Sequence, residues 1–98
     1  MLHIVNKSPY QNHTLASCLR CVKSGHALLL IEDGVYGAVQ GSSHAEALQA
    51  APGLKVYALK PDVDARGMGE RVASHITLVD YAGFVGLVAE HPASNSWL

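Results

Sequence analysis

The sequence predicts an α/β fold, a three-layer sandwich around a mainly parallel sheet of four to five strands. Residues 27–31 form an unbroken apolar run between Gly25 and the polar residues 32–34, which is typical of a strand buried on both faces. Strand-like and helix-like segments alternate along the chain, as they do in sheets that helices cover on both sides. Hydrophobic residues make up 49% of the sequence, which excludes a disordered chain.

Length and charge limit the possible functions. We expect a single domain over residues 1–98, since 98 residues contain no internal repeat or linker. Seven Lys and Arg against eight Asp and Glu give a net charge of −1, so direct nucleic-acid binding is not expected. Charged residues make up only 15%, which is low for the surface of a small monomer. We therefore expect partner subunits to cover part of the surface.

Membrane insertion and export are also not expected. The five-residue aliphatic run is far shorter than the ~20 residues of a membrane-spanning helix. The first seven residues lack the basic start and the long apolar stretch of a signal peptide. These observations predict a cytoplasmic protein with reduced thiols, because structural disulfides are rare in a reducing compartment.

Residues 1–31 are predicted to form a strand, a helix and a second strand. Residues 2–5 form an apolar strand, and a helix follows because four apolar residues recur at i, i+3, i+4 and i+7. These four are Leu15, Cys18, Leu19 and Val22. Asn12 or Thr14 is expected to cap this helix, and Gly25 to end it, before the strand at 27–31.

A helical turn is predicted at 35–39, and a short helix then begins with the capping-box pattern of Ser43 and Glu46. That helix extends to about Ala51, where Pro52 and Gly53 stop it. Residues 54–59 form the third strand.

The last third predicts a one-turn helix at 61–67 with Gly67 as its C-cap, a fourth strand at 76–79, and a longer helix capped by Asp80. Four apolar residues of this longer helix share one face: Tyr81, Phe84, Val85 and Val88. Pro92 marks its end. The tail is polar until Trp97, which we expect to be pinned against the domain.

Motifs for phosphate or metal binding are weak. Gly67-Met68-Gly69 lacks the continuation of a dinucleotide-binding loop. Asp33 and Gly34 follow the buried strand, where such sheets place ligands, but a turn aspartate with a glycine of positive φ is the simpler interpretation. The six histidines show no metal-ligand spacing, and His3 and His75 are the pair that a sheet is expected to bring together. Neither a metal site nor a cofactor is predicted.

Cys18 and Cys21 have the spacing of a redox dithiol, although two thiols are too few to bind zinc by themselves. In dithiols of the thioredoxin type the first cysteine lies at a helix N-terminus, whose dipole stabilises the thiolate. Cys18 lies at least one turn into its predicted helix. The simpler interpretation is that Cys18 is a small packing residue and that Cys21 has no special role.

Several segments, in this order and spacing, are shared with a known family. They are Met1-Leu2-His3, Lys7-Ser8-Pro9-Tyr10, residues 28–39, 55–59, 62–67 and 79–85, and Trp97. On these segments the chain resembles, almost from end to end, the DsrH/TusB family of small sulfur-relay subunits within the DsrE-like group.

The resemblance implies a cytoplasmic α/β subunit that forms a hexamer with two homologous partners, one DsrE/TusD-like and one DsrF/TusC-like. Such complexes pass sulfur as a cysteine persulfide to a DsrC/TusE-like carrier. They act either in 2-thiolation of the tRNA wobble uridine or in dissimilatory sulfur oxidation. The principal sulfur-carrying cysteine of the family is thought to lie on the DsrE/TusD-type partner, so any tRNA role of this chain is expected to be indirect.

The resemblance also singles out Cys18, which matches a cysteine of DsrH-like members and favours the sulfur-oxidising branch, whereas Cys21 matches no family position. One hypothesis is a structural and docking subunit without sulfur chemistry. The second makes Cys18 an auxiliary persulfide carrier, which requires that it be accessible rather than buried against Leu15 and Leu19. A weaker alternative is a free-standing module that binds a small ligand at the edge formed by Asp33 and Gly34.

Overall fold

The fold is built on a parallel five-stranded sheet, in a computed structural model that describes residues 1–97. The strand order is β4-β3-β2-β1-β5, and every neighbouring pair runs parallel. The strands are β1 (Leu2–Val5), β2 (Ala27–Leu30), β3 (Lys55–Leu59), β4 (Thr77–Val79) and β5 (Ser94–Trp97). The predicted α/β class is confirmed.

Helices cover both faces of this sheet. They are α1 (Thr14–Leu19), a 3₁₀ helix (Glu32–Ala38), α2 (Ser43–Ala50), α3 (Lys60–Ala65) and α4 (Tyr81–Glu90). One face packs against α1, α2, α3 and the 3₁₀ helix. Within residues 1–97, α4 is the one helix that packs on the opposite face. The three layers predicted from the alternation of elements are therefore present.

Strand β2 explains the unbroken apolar run. Leu28 and Leu30 join the core beneath α1 and α2, whereas Ala27 and Leu29 join the core beneath α4. All four are buried, because alternate side chains of a strand enter opposite faces of the sheet. A strand covered on both sides needs no polar positions.

The N-cap of α4 and the glycine that ends α3 are as predicted from the sequence, whereas the N-cap of α2 is shifted by one residue. Asp80 caps α4, since its carboxylate accepts a hydrogen bond from the backbone N–H of Gly83 at 2.8 Å. Gly67 adopts φ +65° after α3 and closes that helix as predicted. The cap of α2 is Ser42 rather than Ser43: Ser42 has the extended backbone of a cap, and its hydroxyl accepts from the N–H of Ala45 at 3.1 Å.

The first helix differs from its prediction. It ends at Leu19, where the N–H of Cys21 bonds to the carbonyl of Cys18, so Gly25 does not terminate it. Gly25 instead adopts φ +91° in the turn that enters β2. Among the described contacts, no side chain caps the start of α1, because the Asn12 amide oxygen accepts from the Thr14 hydroxyl and not from a backbone N–H.

The turn after β2 was also predicted incorrectly. Positive φ falls on Glu32, at +50°, and not on Gly34. Gly34 is required for a different reason: a Cβ at this position would overlap the backbone carbonyl oxygen of Val5. The glycine lets the 3₁₀ helix pass directly over the end of β1.

Strand β5 is the element that local pattern identifies least well. Ser94, Asn95 and Ser96 are exposed and polar, and only the pairing with β1 makes this segment a strand. Trp97 pairs with Val5 and packs against the core beneath α1, so the expected pinning of Trp97 is confirmed.

We predict that Gly34→Ala lowers the free energy of unfolding by about 1–3 kcal/mol, because the added methyl forces the 3₁₀ helix away from β1. Gly86→Ala is the matched control. Its Cβ would meet nothing within 4 Å, so we expect a gain of about 0.5–1 kcal/mol from the helical alanine. Urea unfolding followed by circular dichroism measures both values. Equal stabilities of the two variants would contradict the proposed role of Gly34.

Candidate functional site

The carboxyl edge of the sheet, where folds of this class often bind ligands, is occupied by internal bonds. Arg66 donates to one carboxylate oxygen of Asp33 from Nε at 3.1 Å and from Nη2 at 2.9 Å. The backbone N–H of Glu32 donates to the Asp62 carboxylate at 2.7 Å. These contacts join the 3₁₀ helix to α3, so the carboxylates at this edge serve to hold two helices together.

Cys18 lies inside the core between α1 and the sheet. Its side chain is 0% exposed and belongs to the same cluster as Leu15 and Leu28. Burial, with a smaller effect of Cys21, raises the pKa of the Cys18 thiol to about 12. At pH 7 only on the order of one thiol in 10⁵ is therefore ionised, and the thiolate is the nucleophilic form.

Cys21 has the opposite environment. It follows α1, is exposed, and is a free thiol, as is Cys18. One cysteine is thus sealed in the core while the other faces solvent. The two thiols do not form a disulfide in this structure, and the predicted weakness of the dithiol interpretation agrees with this arrangement.

The histidine pair that the fold brings together is His3 and His26, not His3 and His75. His3 Nε2 lies 3.0 Å from His26 Nδ1, and the indole N–H of Trp97 donates to His3 Nδ1 at 3.1 Å. His75 precedes β4, three strands away from β1, so the predicted approach of His3 and His75 is wrong. His26 immediately precedes β2, and the register of a parallel sheet places this residue beside the start of β1.

The hydrogen-bond donors in this cluster determine which nitrogen of each imidazole ring carries the hydrogen. An indole N–H can only donate, so His3 Nδ1 must accept and Nε2 carries the hydrogen. His26 Nδ1 then accepts from His3 Nε2 and also from the backbone N–H of Lys23, at 3.2 Å. Both rings are neutral in this arrangement. Protonation of either Nδ1 would remove an acceptor from its bonded N–H.

Electrostatics favour the same neutral state. Burial lowers the pKa of His3, and the neighbouring His26 and the N-terminal amine lower it further. Burial also lowers the pKa of His26, with contributions from the N-terminal amine, Lys23 and His91. Within residues 1–97, no group of three His, Cys, Asp or Glu side chains is placed to hold a metal ion. The arrangement serves to attach β5 and the turn before β2 to β1.

The longest helix presents an apolar surface to solvent. We define the α4 face as Tyr81, Val85 and Val88, which are 62%, 69% and 42% exposed. Leu87 is the residue of α4 that is buried against the sheet. The shared face predicted from the sequence therefore points mainly away from the core, which makes it a candidate interaction surface. No helix among the described residues has the length and apolar character needed to cross a membrane.

Comparison with known protein families and sequences gives a consistent result. The family model described as "DsrH like protein" matches residues 7–94. The protein TusB of Escherichia coli K12 is 42% identical over 97 residues, covering 99% of this chain and 100% of that protein. The protein TusB of Pectobacterium parmentieri is 41% identical over the same length and coverage.

Solved structures share the fold. The ychN protein of E. coli superposes with a TM-score of 0.79 at 18% identity, covering 97% of each chain. Protein Tm0979 of Thermotoga maritima gives a TM-score of 0.68 at 25% identity, covering 93% of this chain and 94% of that one. MTH1491 of Methanobacterium thermoautotrophicum, a protein of unknown function, gives 0.73 at 18% identity, covering 97% and 95%.

We predict that acidification weakens the fold through His3 and His26. Both have a folded pKa below the ordinary 6.5, so below that pH the unfolded chain binds more protons and stability falls. The loss is at most about 1.4 kcal/mol per pH unit for each histidine that stays neutral. Urea unfolding between pH 7.5 and 5.5 measures it.

His3→Asn is the informative variant, because the Asn amide oxygen takes the place of His3 Nδ1 and can still accept from Trp97 but cannot titrate. We expect a shallower loss of stability on acidification for this variant. His13→Asn, at an exposed position in the same chain, should retain the wild-type pH dependence. If the stability of His3→Asn fell with pH as steeply as that of the wild type, other groups would be the cause of the effect.

Proposed function

Because the chain belongs to the DsrH family, we propose that it is a subunit of a sulfur-relay complex that supports 2-thiolation of the tRNA wobble uridine. The observation that carries this proposal is the 42% identity with TusB over 97 residues. The TusB relatives favour the tRNA branch, in place of the sulfur-oxidising branch that Cys18 alone favoured. We further propose that the complex is cytoplasmic.

The relay chemistry requires little beyond an accessible sulfur. A thiolate of the acceptor attacks the outer sulfur of a cysteine persulfide, and a new S–S bond forms on the acceptor. The original S–S bond breaks, and the donor cysteine leaves as a thiolate that takes up a proton. Donor and acceptor sulfurs must therefore be reachable, and the attacking sulfur must be ionised.

Cys18 meets neither requirement in this fold. It is fully buried, and its raised pKa of about 12 keeps the thiol protonated at neutral pH. For Cys18 to receive sulfur, α1 would have to move away from the sheet and expose the core around Leu15. These observations support a structural and docking role for this chain, with the principal sulfur carrier on a partner.

The α4 face supports the role of a subunit. Three large apolar side chains lie exposed on a ten-residue helix whose sequence holds one charged residue, Glu90. We propose that this face packs against a DsrE/TusD-like or DsrF/TusC-like subunit in a hexamer with two copies of each chain. A DsrC/TusE-like carrier would then take the sulfur from the assembled complex.

We predict that Cys18→Ala leaves 2-thiouridine formation by the reconstituted complex unchanged. The smaller side chain should cost about 1 kcal/mol of stability, because it leaves a small gap in the core. Mass spectrometry of tRNA nucleosides measures the product, and persulfide labelling identifies which cysteines carry sulfur.

Cys21→Ser is the matched thiol control, since its side chain is exposed. Loss of thiolation in Cys18→Ala, with the complex still intact, would establish Cys18 as an auxiliary persulfide carrier. A persulfide detected on Cys18 in the native complex would do the same.

We also predict that Val85→Glu weakens assembly with the two homologous subunits at least about tenfold, because a carboxylate would be buried without a partner. The control is Ala65→Glu, which places the same charge at an exposed position of α3 on the other side of the sheet. Co-purification and sedimentation velocity measure assembly. Normal assembly of Val85→Glu would exclude the α4 face as the subunit contact.

A further inference from the structure

Charge is distributed unevenly along this nearly neutral chain. All eight Asp and Glu residues lie between positions 32 and 90, whereas residues 1–31 contain three Lys and Arg and no acid. The two cations nearest each other in this segment are Arg20 and Lys23, directly after α1. Both are exposed. The surface around α1 therefore carries positive charge that no acidic residue of its own segment offsets.

A groove lies between α1 and α2, and Lys23 is one of the residues that line it. Its main part has a volume of about 660 Å³. It is lined by Leu19, Val22, Lys23, Ser24, Ala47, Ala50, Ala51 and Pro52. A smaller part of about 150 Å³ continues toward the start of α1 and shares Leu19 and Ala47 with the main part. Together the two parts form one apolar groove, which we call the α1–α2 groove.

The lining of the α1–α2 groove has no negative charge. Lys23 lies in the main part, and His13 and His44 line the smaller part. Among the described residues that line either part, none is Asp or Glu. Glu46, the acidic residue of α2, lines a different depression on the other side of that helix. The groove thus combines an apolar floor with a basic end.

We propose that the α1–α2 groove binds a short amphipathic helix of a partner protein, with acidic side chains beside Lys23. Helix α2 is about 12 Å long, which matches about two turns of a bound helix. The exposed side chains of the α2 wall are the small Ala47 and Ala50, which allow a close approach. Laying an apolar helix face in such a groove is a common mode of recognition.

Other features argue against a nucleic acid in this groove. Its lining contains no Phe, Tyr or Trp on which bases could stack. Most of the groove's surface is aliphatic. Lys23 is the one permanently charged residue among those that line it. The groove lies across the sheet from the α4 face, so its occupant would be distinct from a subunit held by α4. This proposal therefore goes beyond the proposed function and does not depend on it.

Two synthetic peptides test the proposal. Both are helical, have the same length and carry the same Leu and Ala face, but one has Glu and the other Lys at the flanking positions. Each is titrated into the ¹⁵N-labelled full chain and followed by amide NMR shifts. We expect the Glu peptide to shift residues of the α1–α2 groove and to bind at least about tenfold more tightly than the Lys peptide.

Variants of the groove separate charge from shape. The change Lys23→Glu should weaken binding of the Glu peptide at least about tenfold and reduce the salt dependence of its binding. Ala47→Phe fills the groove and should abolish the shifts without any change of charge. Arg71→Glu, at an exposed arginine that does not line the groove, should leave binding unchanged.

Four results would overturn the proposal. The first would be equally tight binding of the two peptides. The second would be amide shifts on residues of the α4 face instead of the groove. The groove residues shift on concentration of the protein alone, which would assign the groove to a second copy of the chain. A tRNA transcript shifts the groove residues at lower concentration than the Glu peptide. Assembly assayed with Val85→Glu is a separate measurement, so failure here leaves the subunit role untouched.

Discussion

The structure depends on burying both faces of its central strands. Leu28 and Leu30 need cover on one side of β2, and Leu29 needs it on the other. Four helical segments provide the first cover, and in the described chain α4 provides the second. A single ten-residue helix can bury Leu2 and Leu29 only if it is itself apolar where it meets the sheet. Its outward face then determines what else the protein contacts.

That outward face is apolar as well. In an isolated domain, exposed side chains such as Val85 and Tyr81 add no stability through burial. Polar side chains at these positions would improve solubility. The low charged fraction of 15% fits the proposed subunit role, in which contact area replaces part of the ionic surface. At the carboxyl edge of the sheet, by contrast, charged side chains are present and paired, as in the ion pair of Arg66 and Asp33.

Sequence reasoning succeeded for several elements with a local cause, although it misplaced both ends of α1 and the cap of α2. Strands β1 and β2, the Asp80 cap and the Gly67 turn follow from short-range pattern, and all were predicted. The errors share a different cause. Gly34 is set by the carbonyl of Val5, which lies 29 positions earlier, and strand β5 exists because β1 offers an edge to pair with.

The histidine cluster shows the same limit. His3 and His26 become neighbours only when β1 pairs with β2 in the observed register, and Trp97 joins them only through β5. No spacing in the sequence encodes a contact between residues 3, 26 and 97. The family was predicted from the sequence, but the burial of Cys18 could not be, because it depends on how α1 packs on the sheet.

Because Cys18 is buried, a protein can share this fold without every thiol in it being open to sulfur exchange. A parallel sheet with covering helices can carry a relay cysteine wherever a thiol meets solvent near a positive group or a helix N-terminus. In this chain the thiol of Cys18 in α1 faces the core, and burial raises its pKa to about 12, so the nucleophilic thiolate is scarce at neutral pH. Solvent access to a thiol, and not its presence in the fold, therefore decides whether that thiol can exchange sulfur.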